Sequence, residues 1–393
     1  MFKKTDPNPQ LDIFTAPSML LGIRASKKYS DPNAWHNQFY SLVTTKIDEE
    51  IFKPLFPEGK KSGRPNASIR ILVAMSVLKE GFGCSDEDLF EKCEFDLLSR
   101  KALGMELLTD VTPSIDTYYL FRRRICEYQE RTGIDLMQLC FEQLAGKHVH
   151  LLKISGKCVR MDSKLIGSNI ARQSRYELIH ATLVKFLKTC TLTHLSPEQE
   201  ERAKEYLKED SSKTVYRSDS DTLQSNLARI GNFIMEMLAV FPATSPAHDL
   251  LLRLFEEQYV VMDGKAVLRD KKEVKADSLQ NPNDPDATYR AKNDQKVQGY
   301  VTNITETVEE GKPNIITSVQ VETAVFADCH FLQEAVENSE RVTGSTIEDL
   351  YADGAYQSPD NREFAKNHNA MQLKTGKMQG GCRWELIPHD EDG

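Results

Sequence analysis

Apolar residues recur at helical spacing through most of the first 150 residues. The apolar positions of residues 35–52 keep a period near 3.6, so they predict one helix there. Two further helices are predicted over residues 67–79 and 114–132, the second with Ser114 as its N-cap. Between them Ser85, followed by acidic residues, predicts another helix start. Short helices, glycine turns and local basic residues are typical of a helix-turn-helix type of domain.

After residue 150 the pattern alternates between β and helical periods. Residues 157–166 favour a strand. A longer and more charged stretch, residues 174–257, then shows helical periodicity, and the proline-containing segment 282–290 ends it. β-Branched residues favour a hairpin over residues 297–323, with Gly-Lys-Pro at 311–313 as its turn.

The alternation continues to the end of the chain. It predicts a helix over residues 331–343, a strand over 347–351, a helix over 359–367 and a strand over 369–376, whereas residues 377–393 show no clear element. The order is therefore strand, helical insertion, two strands, helix, strand, helix and strand. This order predicts an α+β fold with a mixed sheet.

Composition and charge limit the classes of protein that fit. The chain has 393 residues and a formal net charge of −9, which argues mildly against coating DNA through bulk charge. Local basic patches are sufficient for phosphate contacts, so the charge does not exclude DNA binding. No apolar run approaches the roughly 18 to 20 residues that a membrane span needs. The eight cysteines form no CxxC pair, so a reducing cytoplasm is the simplest context.

Two acids stand where predicted strands end. Asp162 follows the apolar start of VRMDSKLIGS, residues 159–168, and Asp353 follows a short strand and precedes Gly354. If these strands are neighbours about 4.8 Å apart, the two carboxylates can share a metal. Cleavage of a phosphodiester is served by two Mg²⁺ ions roughly 3.5 to 4 Å apart, which prefer carboxylate oxygens. The alternative is ordinary: an Asp before Gly is often only a turn residue, and a strand-end acid is often only a solvated cap.

Basic residues cluster at two places in the helical N-terminal part. The loop and helix start after residue 57 carry Lys60, Lys61, Arg64 and Arg70, where glycines allow the backbone to follow a phosphate chain. Arg122, Arg123 and Arg124 lie in the middle of a predicted helix. Successive helical residues point about 100° apart, so these three cannot all face one phosphate path. Phosphate contact and a solvated face with an ion pair both stay open for them.

Five segments, in this order, resemble bacterial insertion-sequence transposases of the DDE superfamily, in particular the insertion-sequence 1182 group. They are GRPNASIRILVAMSVLKEGFGCSDEDLFEKCEFDLLSRKALGM from Gly63, TPSIDTYYLFRRRI from Thr112, VRMDSKLIGSNIAR from Val159, DPDATYRAKNDQKVQGYVTNI from Asp284, and LYADGAYQS from Leu350. Asp284 and Asp286 in the fourth segment either cap the chain that follows or lie near the site.

The resemblance implies an RNase H-like catalytic domain, with Asp162 on its first strand and Asp353 on its fourth. It implies residues 1–150 as a helical DNA-binding domain, 151–175 with 287–393 as the catalytic domain, and 176–286 as a helical insertion. The implied activity is Mg²⁺-dependent cleavage and strand transfer, with Mn²⁺ as a substitute ion. The implied partners are double-stranded DNA, at terminal inverted repeats and target, and further copies of the chain, in the bacterial nucleoid.

The family pattern needs a third carboxylate, usually a Glu on a helix after the fifth strand. Beyond residue 376 the only glutamates are Glu385 and Glu391, and neither lies in a helical pattern, so neither is assigned. The expectation is therefore a C-terminally truncated transposase, with a catalytically inactive DNA-binding remnant as the alternative. A nuclease on the same fold is a third hypothesis, since fold does not fix function.

Overall fold

Helices and strands form a mixed α+β arrangement in the computed structural model of the chain. The residues that the structure describes are Phe2, Lys4, Pro17, 21–56, 66–241, 245–292, 295–379 and 383–385. The chain divides into two compact units. Unit 1 comprises Met1–Arg160, Glu306–Ser318 and Val336–Asp349, and unit 2 comprises Met161–Thr305, Val319–Ala335 and Leu350–Gly393.

The N-terminal part of unit 1 is helical. Its helices are α1 Ile23–Tyr29, α2 Trp35–Leu42, α3 Ile69–Phe82, α4 Asp86–Phe95, α5 Leu97–Ala102, α6 Ile115–Thr132 and α7 Leu136–Leu151. Serine side chains cap α3, α4 and α6 by accepting a backbone N–H in the first turn; they are Ser68, Ser85 and Ser114. The predicted N-caps Ser85 and Ser114 are thus confirmed, because an N-cap hydroxyl satisfies an amide that the helix leaves unpaired.

The single helix predicted over residues 35–52 was wrong. Helix α2 ends at Leu42, and two 3₁₀ segments, Thr44–Lys46 and Glu49–Leu55, follow it. The buried Thr44 hydroxyl donates to the Ala102 carbonyl, so a tertiary hydrogen bond fixes the chain where the helix stops.

The core of these helices joins α3 to α6. Ile69 and Met75 of α3 are fully buried with Tyr118 and Phe121 of α6. A buried arginine, Arg100, closes the loops around this core because its guanidinium donates to three backbone carbonyls, those of Cys93, Leu107 and Asp110. An arginine buried this deeply needs such acceptors, since its unpaired charge would cost several kcal/mol.

A helical block in unit 2 follows the first strand. Its helices are α8 Arg175–Leu187, α9 Pro197–Lys208, α10 Ser211–Arg217, α11 Ser220–Val240 and α12 Pro246–Gln258. They share one hydrophobic core with a hairpin of β2 Tyr259–Met262 and β3 Lys265–Leu268. The helical pattern of residues 174–257 is confirmed, and the hairpin was not predicted. None of the helices in the described residues is both long and apolar enough to cross a membrane.

The main sheet has six strands. They are β1 Cys158–Gly167, β4 Thr288–Lys292, β5 Gln295–Thr307, β6 Ile316–Thr323, β7 Asp349–Ala352 and β8 Gln372–Thr375, in the order β4-β5-β1-β7-β8, with β6 also paired to β5. Helix α13, Leu332–Thr343, connects β6 to β7, and α14, Pro359–Asn367, connects β7 to β8. The strand and helix order predicted from residue 157 onward is therefore confirmed, with β4 as an addition.

Backbone hydrogen bonds set the register of β1 against its two neighbours. The Val308 amide donates to the Cys158 carbonyl and the Ser168 amide to the Gln298 carbonyl, so β1 and β5 run antiparallel. The amides of Glu348 and Asp349 both donate to the Lys157 carbonyl, so β7 starts where β1 starts and the pair is parallel.

The chain end also forms strands that the pattern did not predict. Residues 377–393 were expected to contain no clear element, but β9 Lys377–Gln379 and β10 Arg383–Glu385 pair antiparallel. Three residues in each strand are too few for a period of two to be recognised in the sequence.

We predict that Gly299→Ala destabilises the protein by about 1–3 kcal/mol. A Cβ at Gly299 would lie 2.2 Å from the Ile166 carbonyl oxygen and 2.6 Å from the Ser168 nitrogen, both backbone atoms that cannot rotate away. Its φ of 155° is also unfavourable for an L-residue. Urea unfolding followed by circular dichroism measures the loss.

Gly167→Ala is the matched control for this substitution. Gly167 pairs with Gly299 in the β1–β5 register, yet a Cβ there meets nothing within 4 Å. We expect its stability to stay within about 1 kcal/mol of the parent. Equal losses of unfolding free energy in the two variants would show that the close approach of the β1 backbone is not the reason for glycine at position 299.

Candidate functional site

The prediction that Asp162 ends its strand was wrong, because β1 continues to Gly167 and Asp162 lies in its middle, facing solvent. Val159 and Met161 alternate with it and are buried, so Asp162 points to the opposite, exposed face of the sheet. One of its carboxylate oxygens accepts the backbone N–H of Ser163 at 2.8 Å. The strand fixes where this carboxylate stands, and its other lone pairs remain available to a ligand.

Asp353 directly follows β7 and begins a 3₁₀ turn, Gly354–Tyr356. Its Oδ1 accepts the Ala355 amide at 2.7 Å, which is the N-cap role that the Asp-Gly sequence allows. Leu350 and Ala352 of β7 are buried, so by alternation Asp353 belongs to the exposed face. This hydrogen bond holds the carboxylate against the turn that follows β7.

The parallel register brings these two acids side by side. In unit 1, Lys157 lies just before β1 and Glu348 just before β7. Their side chains form an ion pair of 2.7 Å, and the two residues are 191 positions apart in the sequence. The same offset, continued along the strands into unit 2, pairs Asp162 with Asp353. Neighbouring strands lie about 4.8 Å apart, so the two carboxylates stand within reach of one ion.

Tyr356 lies beneath the acid pair and is fully buried. Burial raises the pKa of its hydroxyl, a hydrogen bond with the Ser163 side chain opposes this rise, and the negative charges of Asp328, Asp162 and Asp353 add to it. One phenol within electrostatic reach of both Asp162 and Asp353 is a second indication that these carboxylates lie close together.

A buried polar network holds Tyr356 in place. Its hydroxyl donates to Asn303 Oδ1 at 2.7 Å, and Asn303 Nδ2 donates to Gln320 Oε1 at 2.9 Å. Gln320 in turn donates to Glu334 Oε2 and to the Phe331 carbonyl. The network therefore links the turn after Asp353 to β5, β6 and the start of α13, and such networks favour one arrangement because each buried polar group needs its partner.

The pair fits part of a Mg²⁺ ligand set. Mg²⁺ takes oxygen ligands and is usually held by one or two carboxylates, with waters and substrate phosphates completing the octahedron. Within the residues described, no three His, Cys, Asp or Glu side chains come together as a metal site. Glu391 and the side chain of Glu385 lie outside the described part of the chain.

Asp284 belongs to a different group of side chains. Its two carboxylate oxygens accept hydrogen bonds from the hydroxyls of Ser168 and Tyr300. Burial raises the pKa of Tyr300, and the hydrogen bond to Asp284 adds to this rise. Ser168 lies six residues beyond Asp162, roughly 20 Å along an extended strand. Asp284 therefore ties the end of β1 to β5, and it does not join the acid pair.

The predicted phosphate-binding loop can be placed only in part. Lys60, Lys61 and Arg64 lie outside the described residues. Arg70 lies in the first turn of α3, where its backbone N–H donates to Glu49 Oε1 at 2.9 Å. The role of these four residues stays a prediction.

The three consecutive arginines of α6 have separate environments. Arg122 lies 3.8 Å from Asp86, and Arg123 lies 3.5 Å from Glu127 one turn further along the helix. Arg124 has no carboxylate within ion-pair distance among the described residues. These contacts agree with the prediction that the helix cannot present all three arginines to one phosphate chain.

The sequence patterns predicted Asp162 and Asp353 as candidate site residues, but they did not predict the buried polar groups below them. Asn303 and Gln320 are polar side chains at buried strand positions, where a hydrophobicity pattern expects apolar ones. The only trace of this network in the sequence is the excess of Thr and Asn within β5. It cannot be interpreted until the strands that pack against β5 are known.

We predict that Tyr356→Phe destabilises the protein by about 1–2 kcal/mol below pH 10, because Asn303 loses the donor to its buried carbonyl. In the parent, the raised pKa keeps Tyr356 protonated above its ordinary value of 10.0, so its contribution is complete below pH 10 and is lost as pH rises further. The difference between parent and variant therefore narrows above pH 10. Urea unfolding across pH 7 to 11 measures it.

Tyr216→Phe is the control, because Tyr216 is a tyrosine of the same unit that is 91% exposed. We expect no change in its unfolding free energy beyond about 0.5 kcal/mol. A Tyr356→Phe difference that stays constant through pH 10 would contradict the raised pKa of this buried hydroxyl.

Comparison with known proteins gives one match. Residues 28–124 match the family model described as Transposase domain (DUF772). No curated protein and no solved structure matches the chain. The matched segment contains α2 to α5 and the first half of α6, and it ends before the strands that carry Asp162 and Asp353. The match supports a transposase family for this chain, and the assignment to the insertion-sequence 1182 group and to DDE chemistry remains a prediction.

Proposed function

We propose that this chain is a DNA transposase whose catalytic centre contains Asp162 and Asp353. The observation that carries the proposal is the parallel β1–β7 register, which sets two carboxylates side by side on the exposed face of a sheet. Like charges at this spacing repel each other, so their placement is costly unless a cation or its equivalent offsets it. The transposase-domain match of residues 28–124 supports the same function independently.

The strand order supports an RNase H-like catalytic domain. Without the helical block and the edge strand β4, the sheet strands occur along the chain as β1, β5, β6, β7 and β8. Asp162 is then on the first and Asp353 at the end of the fourth, as the family resemblance implies. The strands β5 and β6 pair as a hairpin, and α13 and α14 follow them.

The residues of this chain have definable roles in such a reaction. Asp162 and Asp353 would hold Mg²⁺, which when bound supplies charge neutralisation and an activated water for phosphodiester cleavage. The strands fix the spacing of the two carboxylates, and the Tyr356 network holds the turn after Asp353. Lys164 lies two residues beyond Asp162 on the same exposed face, about 7 Å along the strand, where a DNA phosphate would meet its ammonium group.

The proposed substrates are the terminal inverted repeats of a mobile element and its target DNA. The reaction joins two element ends to one target, so we propose that the chain acts as a homo-oligomer with one copy at each end. A DNA-binding protein without cleavage activity is the second candidate, because the acid pair gains no third carboxylate among the described residues.

We predict that Mg²⁺ or Mn²⁺ raises the thermal unfolding midpoint of the parent and that Asp162→Asn and Asp353→Asn abolish this increase. Without divalent ions each variant should be as stable as the parent or more stable, because one of two adjacent negative charges is removed. Differential scanning fluorimetry with and without the ion measures both effects. Asp277→Asn is the control, because it removes an exposed carboxylate of the same unit.

We predict that metal-dependent nicking of terminal-repeat DNA is lost, by at least about a hundredfold, in Asp162→Asn and in Asp353→Asn but not in Asp277→Asn. A nicking assay on labelled repeat DNA, with scrambled DNA beside it, provides the test. Retained nicking in both site variants would refute the catalytic assignment. Salt-dependent binding of repeat DNA without any cleavage by the parent would instead select the second candidate.

A further inference from the structure

A cleft of about 310 Å³ opens in unit 1 between helix α6 and the 3₁₀ segment that precedes α3. It is lined by Pro54, Leu55, Phe56, Arg124, Glu127, Tyr128 and Arg131. Its volume is at the lower end of small-ligand sites, the size of one nucleotide rather than of a peptide segment. The lining combines cationic side chains with aromatic rings. A simple packing gap between two elements is not expected to have this combination.

Two arginines of α6 face this cleft. Arg124 and Arg131 are seven residues apart, so they occupy the same face of the helix about 10 Å from each other. No carboxylate among the described residues lies within ion-pair distance of either one. Arg122 and Arg123, on the other faces, are held by Asp86 and Glu127.

The aromatic rings of the cleft lie beside these cations. The Arg124 guanidinium is 5.8 Å from the centre of the Phe56 ring, and the Arg131 guanidinium is 5.6 Å from the centre of the Tyr128 ring. Both rings are only partly buried. The remaining charged residue of the lining is Glu127, which forms an ion pair with Arg123. The net charge of the cleft is therefore positive.

We propose that this cleft binds an unpaired nucleotide of DNA. The base stacks on Tyr128 or Phe56, and Arg124 and Arg131 contact the phosphates on either side of it. Arginine with aromatic rings in a positively charged groove is the usual chemistry of single-strand recognition. The proposal rests on the DNA-binding function proposed above, and it adds a site that is independent of the acid pair.

The test compares two double variants of the full chain that remove the same charge from the same helix. One is Arg124→Gln with Arg131→Gln, and the control is Arg122→Gln with Arg123→Gln. Binding of a fluorescent single-stranded oligothymidine is measured by anisotropy over a range of salt. We expect the cleft variant to bind roughly tenfold or more weakly and its salt slope to fall by about 1.4, as for two phosphate contacts.

A third variant tests the stacking component. Tyr128→Leu keeps an apolar side chain but removes the ring, and we expect a loss of about fivefold or more in oligothymidine affinity with an unchanged salt slope. Thermal unfolding midpoints close to that of the parent establish that each variant is folded. The control double variant should stay within about twofold of the parent, since its arginines are engaged with carboxylates.

Five results would overturn the proposal. Four of them are equal losses of affinity in the two double variants, losses for duplex DNA but not for the single strand, competition by an acidic peptide as strong as competition by single-stranded DNA, and no DNA binding by the parent. The last would also remove the proposed function. Metal-dependent cleavage that is intact in the cleft variant, together with unchanged oligothymidine binding, would remove only the cleft.

Discussion

The pairing of β1 with β7 is the interaction on which the candidate site depends. Two amides at the start of β7 donate to the Lys157 carbonyl, and this starting point sets the offset of every later residue in the pair. Because side chains alternate between faces, a slip of one residue would turn Asp353 away from Asp162 and into the covered side of the sheet. The site is therefore a property of backbone register before it is a property of carboxylate chemistry.

The sheet supports this register with polar groups as well as apolar ones. Below the acid pair, Tyr356, Asn303 and Gln320 form a chain of hydrogen bonds where a small domain would ordinarily place aliphatic side chains. Hydrogen bonds are directional, so they define one position for the turn that carries Asp353 more narrowly than packing alone. Two adjacent negative charges above such a network lower the free energy of unfolding, because they repel each other. This arrangement is typical of a site organised for a ligand.

Much of the local structure follows from local sequence. Ser85 and Ser114 start helices because a hydroxyl at that position satisfies a nearby amide, whatever the rest of the chain does. The β5–β6 hairpin was predicted in the same way. Asp263 and Gly264 have positive φ angles in the turn between β2 and β3, so that hairpin also had a local signal, which the helical pattern around it concealed.

The sequence alone thus determined the helix starts and the order of strands and helices from β1 onward, and it predicted the two candidate acids. Only the tertiary structure decided which strands are neighbours, that Gly299 must approach the backbone of β1, and that Thr44 ends a helix by bonding to a distant carbonyl. The difference has one physical reason. Caps, turns and periodicity depend on residues a few positions apart, whereas register, close approach and buried polar partners depend on residues that meet only after the chain has folded.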